Sequence, residues 1–268
     1  FKRRNIYYGY KENMKMIKKV IIYVIQKLGY DIIYYRDKKN NFPLDFESRH
    51  IEIIKKVAPY TLTGPVRIHA LIESVQYILR NDIKGDFLEC GVYKAGSMMT
   101  IALTLMTEGV RDRELYLFDT FDMVPAAGEK DVNIHGVPAS IRFSKISDSG
   151  VSSNVPTASL QEAKQAMALT GYPMDKIHFI KGLVENTIPE KAPKSIALLR
   201  LDTDWYQSTI HEMNHLYPKV TPKGIVIVDD YGYYKGSKEA VDEFFQKNKL
   251  MPLLHRIDFS GRLIIKEV

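Results

Sequence analysis

Two short stretches decide the fold of this chain: ALLRLDTDWYQST at residues 197–209 and GIVIVDDYGYY at residues 224–234. In each stretch a run of apolar residues ends in a pair of aspartates. Short apolar runs are typical of strands that are buried in a parallel sheet, and neighbouring parallel strands bring their carboxyl ends to one edge. We therefore expect both pairs of carboxyl groups to converge at the edge where such sheets bind ligands.

The four aspartates are Asp202, Asp204, Asp229 and Asp230. Clustered carboxylates repel one another and resist burial unless a positive charge lies among them. A hard divalent cation such as Mg2+ prefers oxygen ligands. An aspartate after a strand also often caps the next helix or begins a turn, and that alternative stays open for each residue taken alone. Two such pairs together favour a metal site.

The rest of the chain alternates between strand and helix patterns. Strands are predicted at residues 85–91, 114–120, 176–182, 195–202 and 224–230, and helices at 67–80, 96–109, 160–169, 207–217 and 237–247. Strict alternation implies right-handed crossovers and an α/β fold with a doubly wound, Rossmann-like sheet. The apolar runs at residues 253–258 and 261–268 have no helix between them, so an antiparallel hairpin should end a mostly parallel sheet.

The charge is concentrated at the start of the chain. Residues 1–49 contain 12 Lys and Arg against 5 Asp and Glu (+7), whereas residues 50–268 contain 26 against 27 (−1). Because the body is neutral, it lacks the basic working face of a nucleic-acid enzyme, and we expect no nucleic-acid partner. The single cysteine, Cys90, excludes an intrachain disulfide and a cysteine-based zinc cluster, which suits a cytoplasmic location.

The basic start of the chain contains one amphipathic segment, at residues 13–30. Its longest apolar run, from Val20 to Ile25, is far shorter than the ~20 residues of a transmembrane helix. A helix here could pack on the domain or on a second subunit of a homo-oligomer, or contact a membrane surface through its lysines. We divide the chain into a basic helical extension, 1–59, and a main domain, 60–268.

A long connection at residues 122–158 is rich in Gly, Ser, Pro and Ala. Loops longer than ~15 residues are usually functional lids or disordered segments, and both alternatives remain for this one. We call residues 122–158 the lid, because they connect strands that face the predicted site. His135 in the lid is a candidate base, since an ordinary histidine pKa of ~6.5 suits proton transfer, although a single loop histidine is often only solvated.

The first predicted strand leads into a glycine turn. Gly91 and Gly96 give the spacing G-x-x-x-x-G, which is neither a dinucleotide fingerprint nor a P-loop. Glu89, before the turn, would repel a pyrophosphate but could accept a hydrogen bond from an amino group. Asp119, at the end of the second strand, could accept both hydroxyls of a ribose. These residues together predict a cofactor that has an amine and a ribose but no phosphate.

The same motifs carry a family resemblance. The runs DFLECGVYKAGS, LYLFDTFDMVP, HFIKGLVENTIP, LLRLDTDWYQST and GIVIVDDY, preceded by YTLTGPVR, occur in this order over about residues 60–250. In order and spacing they resemble the macrocin and mycinamicin type of O-methyltransferase. The resemblance implies that S-adenosylmethionine and Mg2+ are used to methylate a hydroxyl of a sugar or glycosylated natural product, so that the partner is a small saccharide or glycoside.

By position, the resemblance also implies roles for individual residues. The residues that would line the cofactor pocket are Thr63, Glu89, Gly91, Ser97, Asp119, Gly182 and Leu183. The metal would be held by Asp202, Asp229 and Asp230, of which Asp202 also acts in catalysis, and Asp204 would be the base. The basic extension and the lid do not match the family, and these parts would choose the acceptor.

Two other functions compete with methyl transfer. A nicotinamide-dependent dehydrogenase is disfavoured by the glycine spacing and by the acidic cluster, which would repel a pyrophosphate. A non-catalytic interaction protein with the same fold would use the N-terminal helix as its partner surface. Binding of S-adenosylhomocysteine or of NAD would discriminate between these functions.

Overall fold

The computed structural model describes residues 42–143 and 157–267. The helices are α1 Ser48–Val57, α2 Pro65–Arg80, α3 Gly96–Thr107, α4 Ala139–Phe143, α5 Leu160–Ala168, α6 Val184–Thr187, α7 Tyr206–Leu216 and α8 Lys235–Lys247. The strands are β1 Asp86–Cys90, β2 Leu115–Asp119, β3 Ile177–Lys181, β4 Ile196–Leu201, β5 Val220–Val228, β6 His255–Arg256 and β7 Arg262–Ile265.

These strands form one sheet in the order β3-β2-β1-β4-β5-β7-β6. The strands β1 to β5 are parallel, whereas β7 is antiparallel to both β5 and β6. The predicted doubly wound sheet with a C-terminal antiparallel hairpin is therefore confirmed. The strand order reverses between β1 and β4, and ligands bind at such a switch point in open α/β sheets.

Hydrophobic burial explains why the sheet forms from these residues. Every residue of β4 is buried, as is each residue of β1 after Asp86, which is the pattern of strands covered by helices on both faces. Helix α3 is buried from Gly96 to Leu105, so it lies within the domain and not on its surface. One residue does not fit an apolar strand: Arg200 of β4 is a buried cation.

The parallel ladder continues one residue beyond each strand and so aligns the strand ends. Gly182 N donates to Asp119 O at 3.0 Å, and Gly91 N donates to Phe118 O at 2.9 Å. On the other side of β1, Asp202 N donates to Cys90 O, and Asp229 N donates to Leu201 O, both at 2.9 Å. The first residues after all five parallel strands therefore lie side by side along one edge.

Gly91 allows the closest of these approaches. Its φ is +82°, and a Cβ atom placed on it would lie 2.0 Å from the carbonyl oxygen of Asp202. Any side chain here would push the turn after β1 away from the end of β4. The glycine turn and the first aspartate of the acidic cluster are thus in direct backbone contact.

The start of the chain is only partly described. Residues 1–41, including the helix predicted at residues 13–30, lie outside the described residues. The compact unit Phe46–Val268 takes in α1, which we assigned to the extension from the sequence, and the division at residue 59 stays a prediction. Within residues 42–143 and 157–267, no helix is both long enough and apolar enough to cross a membrane.

We predict that Gly91→Ala destabilises the chain much more than Gly109→Ala does. Both glycines have a positive φ, +82° and +76°, so alanine costs about 1–2 kcal/mol of backbone strain at either position. At Gly109 an added Cβ meets no atom within 4 Å, whereas at Gly91 it meets Asp202. Overpacking should add about 1–3 kcal/mol at Gly91 alone, as measured by denaturant unfolding. Equal losses at the two positions would contradict this account.

Candidate functional site

A cavity of about 480 Å3 opens at the carboxyl edge of the sheet. Its walls come from the segment before α2, the loops after β1 to β5 and the described part of the lid. The predicted site residues that line it are Thr63, Gly91, Asp119, Gly182, Leu183, Asp202, Asp204, Asp229 and Asp230. Three predicted residues, Glu89, Ser97 and His135, lie outside its walls.

Three of the aspartates form a compact group. Asp202, Asp204 and Asp230 each place one carboxylate oxygen within 4.8 Å of the other two. Among the described residues, the Oδ2 atom of Asp230 is buried without a hydrogen-bond partner. Burial raises the pKa of both Asp202 and Asp230 well above the usual value, and the neighbouring carboxylates add to the rise. The group is therefore costly to ionise without an added positive charge.

Asp204 reaches this group through an unusual backbone conformation. Its φ is +66°, in the left-handed region that costs a residue with a side chain about 1–2 kcal/mol. The turn brings the carboxyl group of Asp204 towards Asp202 and Asp230. Because β4 ends at Leu201, the alternation of side chains along a strand does not determine this direction. Burial raises the pKa of Asp204 to about 7, and the charge of Asp202 contributes to this rise.

Arg200 supplies positive charge beneath the aspartates. From its buried position in β4, its Nη1 donates to Glu89 Oε1 at 2.5 Å and to Asp202 Oδ2 at 2.7 Å. Its Nη2 donates to Asp229 Oδ1 at 2.5 Å and to Thr63 Oγ1 at 3.2 Å. Sequence reasoning missed this residue, although an arginine inside an apolar strand was the available signal.

A second guanidinium group, that of Arg67 in α2, holds Asp229 from the other side. It forms an ion pair with Asp229 Oδ2, and its Nε donates to Asp258 Oδ2 at 2.7 Å. Both carboxylate oxygens of Asp229 are therefore paired with arginines. The resemblance had placed Asp229 with Asp202 and Asp230 as metal ligands, whereas the structure brings Asp204 into that group.

The charges at this edge do not balance. Six carboxyl groups, those of Glu89, the four aspartates and Asp258, meet two guanidinium groups within the described part of the chain. The excess of acid, the oxygen-only donors and the unpartnered oxygen of Asp230 suit a hard divalent cation. The residues present therefore fit Mg2+.

The cofactor side of the cavity is organised by Asp119. Its Oδ2 accepts hydrogen bonds from Val92 N at 2.6 Å and Tyr93 N at 2.9 Å, and its Oδ1 accepts one from Phe121 N at 2.7 Å. The carboxylate thereby fixes the glycine turn after β1 to the end of β2. Asp119 lines the cavity and can share its remaining lone pairs with ligand hydroxyls.

Glu89 and Ser97 lie beneath the glycine turn. Both side chains are buried, at 1% and 4% exposure. Burial raises the pKa of Glu89 to about 7, while Arg200 and Ser97 beside it oppose the rise. These two residues therefore lie beneath the glycine turn and do not line the cavity itself.

The described part of the lid is attached to the same edge. Buried Asp131 accepts hydrogen bonds from Tyr206 N at 2.8 Å, at the start of α7, and from Gly128 N at 2.7 Å. The indole nitrogen of Trp205 donates to Pro125 O at 2.9 Å. His135 lies exposed in a turn of this segment, so the structure does not bring it to the acidic cluster.

A second group of possible metal ligands lies on α1 and α2. It consists of His50, His69 and Glu73. His50 Nδ1 and His69 Nε2 lie 3.3 Å apart, and the ring of Phe46 stacks on that of His69. We assign this group to helix packing, because the two histidines share one hydrogen bond, Phe46 stacks on His69 and none of the three possible ligands lines the cavity.

Comparison with known proteins identifies the family of this chain. Residues 7–265 match the family described as macrocin O-methyltransferase (TylF). Demethyldecarbamoylnovobiocin O-methyltransferase of Streptomyces niveus is 30% identical over 202 residues, which cover 75% of this chain and 74% of that protein. Mycinamicin III 3''-O-methyltransferase of Micromonospora griseorubida is 29% identical over 202 residues, 75% of this chain and 76% of that protein.

A solved structure resembles most of this chain. The structure of the O-methyltransferase NovP superposes with a TM-score of 0.68 at 29% identity, and the match covers 78% of this chain and 83% of that one. The family match spans nearly the entire sequence, including all the motifs at the carboxyl edge, and, contrary to the expectation from the sequence, the lid and most of the basic extension lie within the matched range. The chain therefore belongs to the macrocin O-methyltransferase (TylF) family and is an S-adenosylmethionine-dependent O-methyltransferase.

Proposed function

We propose that this chain transfers the methyl group of S-adenosylmethionine to a hydroxyl group of a sugar or glycosylated small molecule, and that Mg2+ is required. The observation that carries the proposal is the group Asp202, Asp204 and Asp230, which borders the same cavity as the cofactor residues. The two curated relatives, whose names describe O-methyltransferases of novobiocin and mycinamicin compounds, support the choice of acceptor class.

In this proposal Asp202 and Asp230 hold the metal. Asp229, one residue before Asp230, would complete the set, as the family resemblance implies, although both of its oxygens pair with arginines in the structure. When bound, Mg2+ supplies positive charge that lowers the pKa of an acceptor hydroxyl. Arg200 stays beneath the cluster, where its three carboxylate partners keep it in place.

Asp204 is the proposed base. Its carboxyl group lies beside Asp202 and Asp230, whereas His135 is exposed outside the cavity. The acceptor oxygen forms a bond to the methyl carbon, the bond from that carbon to sulfur breaks, and the hydroxyl proton passes to Asp204. The leaving sulfur retains the electron pair, so S-adenosylhomocysteine is the second product.

Cofactor and acceptor would occupy different parts of the cavity. Asp119 and the glycine turn at Gly91 suit the ribose and the methionine end, and Gly182 with Leu183 suits the adenine. Trp205 borders the cavity beside the aspartates, but it is buried and packs edge-on against Tyr234, so it forms part of the wall and not an open stacking face. Holding both reactants in one cavity aligns the hydroxyl with the methyl group, which contributes to the rate.

We predict that Asp230→Asn abolishes metal binding and metal-dependent turnover while it preserves the affinity for S-adenosylhomocysteine. Turnover should fall at least about 100-fold, because a catalytic metal supplies several kcal/mol of transition-state stabilisation. Calorimetry with Mn2+ and with S-adenosylhomocysteine measures the two affinities, and mass spectrometry with a glycoside panel measures methylation.

Asp175→Asn is the matched control for this change, because Asp175 is exposed in the turn that precedes β3, at the end of that strand opposite the cavity. It should leave both affinities and turnover unchanged. Methylation by the wild-type chain that persists in EDTA would remove Mg2+ from the proposal.

We predict that Asp204→Asn lowers turnover by about 100-fold to 10,000-fold, which is the usual contribution of a general base. A base that is not a ligand can be replaced without weakening Mn2+ binding, so the Mn2+ affinity should stay within a few-fold of wild type. A parallel loss of Mn2+ affinity and turnover would instead make Asp204 a metal ligand.

The basic extension is the proposed subunit contact of a cytoplasmic homo-oligomer. Its charge and the apolar spacing at residues 13–30 support this role, because such a helix needs a partner surface. We predict that deletion of residues 1–45, which leaves the compact unit from Phe46 intact, reduces the mass measured by light scattering. An unchanged oligomer would exclude this role for the extension.

A further inference from the structure

Glu212, a carboxyl group outside the cavity walls, lies in the core directly behind the acidic cluster. It belongs to α7 and is 0% exposed. Its Oε1 accepts a hydrogen bond from Thr203 Oγ1 at 2.9 Å. Within residues 42–143 and 157–267, its Oε2 atom has no hydrogen-bond partner, and the carboxyl group lies beside the thiol of Cys90.

Thr203 is the residue that separates two of the cluster carboxylates, Asp202 and Asp204. Its carbonyl oxygen accepts a hydrogen bond from Trp205 N at 2.7 Å, which closes a tight turn, and another from Ser208 Oγ at 3.3 Å. The backbone of Asp204 is left-handed in this turn, with a φ of +66°. Strained conformations persist only where surrounding contacts hold them, and the Thr203 hydroxyl is the contact from the core side.

The position of Glu212 suits that task because it joins three elements. Its own helix begins just after the turn, and Thr203 follows β4. The thiol of Cys90, at the end of β1, has its pKa raised first by burial and then by the charge of Glu212, so the two side chains are close. The carboxyl group thus lies where β1, β4 and α7 meet.

Burial of Glu212 has a cost that core packing alone does not explain. Burial raises its pKa to about 8, so the group is mostly neutral at pH 7 and needs no cation. A neutral carboxyl with one unpartnered oxygen is still less favourable in a core than an apolar side chain of the same size. A role in the site accounts for this cost.

We infer that Glu212 is a positioning residue that holds the Asp202–Asp204 turn through the Thr203 hydroxyl, and so sets the position of Asp202, the ligand on this turn, relative to Asp230 when the two bind the divalent cation. This inference rests on the proposed function. It extends that proposal to a residue that touches neither the cofactor nor the acceptor.

The test compares two pairs of variants. Thr203→Val and Glu212→Leu remove the hydrogen bond while keeping the side-chain volume similar. Thr203→Ser and Glu212→Gln keep a hydroxyl donor and a carbonyl acceptor at the same places. The readouts are Mn2+ affinity and S-adenosylhomocysteine affinity by calorimetry, together with the thermal unfolding midpoint.

Loss of a residue that orients metal ligands typically weakens metal affinity by about 10- to 100-fold. We expect this loss in Thr203→Val and in Glu212→Leu, and no further loss in the double variant, because both changes remove one interaction. The Mn2+ affinities of Thr203→Ser and Glu212→Gln should remain within about threefold of wild type, well below the loss expected when the hydrogen bond between these residues is removed. All the variants should bind S-adenosylhomocysteine as wild type does, which also shows that they are folded.

Two results would overturn the inference alone. One is wild-type Mn2+ affinity in both Thr203→Val and Glu212→Leu, whatever happens to their unfolding midpoints. The other is a loss in Glu212→Gln as large as that in Glu212→Leu, since the glutamine keeps the hydrogen bond. A wild-type chain that does not bind Mn2+ at all is a distinct outcome, which overturns the metal in the proposed function and this inference with it.

Discussion

The rest of the site depends on one electrostatic constraint: Glu89 and the four aspartates share two guanidinium groups, one of which also pairs with Asp258. Arg200 reduces the repulsion among these carboxyl groups, because its buried guanidinium group pairs with Glu89, Asp202 and Asp229. Arg67 pairs with the second oxygen of Asp229. What remains is Asp204 and Asp230, whose pKa values are raised by burial and which have no arginine partner among the described residues.

The fold could be predicted from the sequence because it depends on patterns that repeat over many residues. Apolar runs, helical spacing and the missing helix before the last strand were enough to specify a mostly parallel sheet with a terminal hairpin. The convergence of the aspartates followed from the same logic, since parallel strands share a direction. The ladder of backbone hydrogen bonds beyond each strand end is the physical reason that this logic holds.

The details of the site could not be predicted in the same way, because they depend on side-chain directions. The left-handed backbone of Asp204 turns its carboxyl group towards Asp202. Arg67 and Arg200, which are distant from Asp229 in sequence, pair with both oxygens of Asp229 instead. Glu212 lies in a helix that the sequence predicts, but a charged residue on a helix is usually exposed, whereas Glu212 is fully buried. His135 had suitable chemistry but no pattern that fixed its place, and it lies in an exposed turn.

The link from Arg67 to Asp258 joins residues that are 191 positions apart, and Arg67 is the same residue that holds Asp229. A growing chain therefore cannot complete this arrangement until the segment that contains Asp258 has emerged from the ribosome. Closing a loop of this length costs conformational entropy, and the cost rises slowly with loop length. The strands that lead into the four aspartates are synthesised before Asp258, so Arg67 gains its second carboxylate partner only when the C-terminal segment folds onto the sheet.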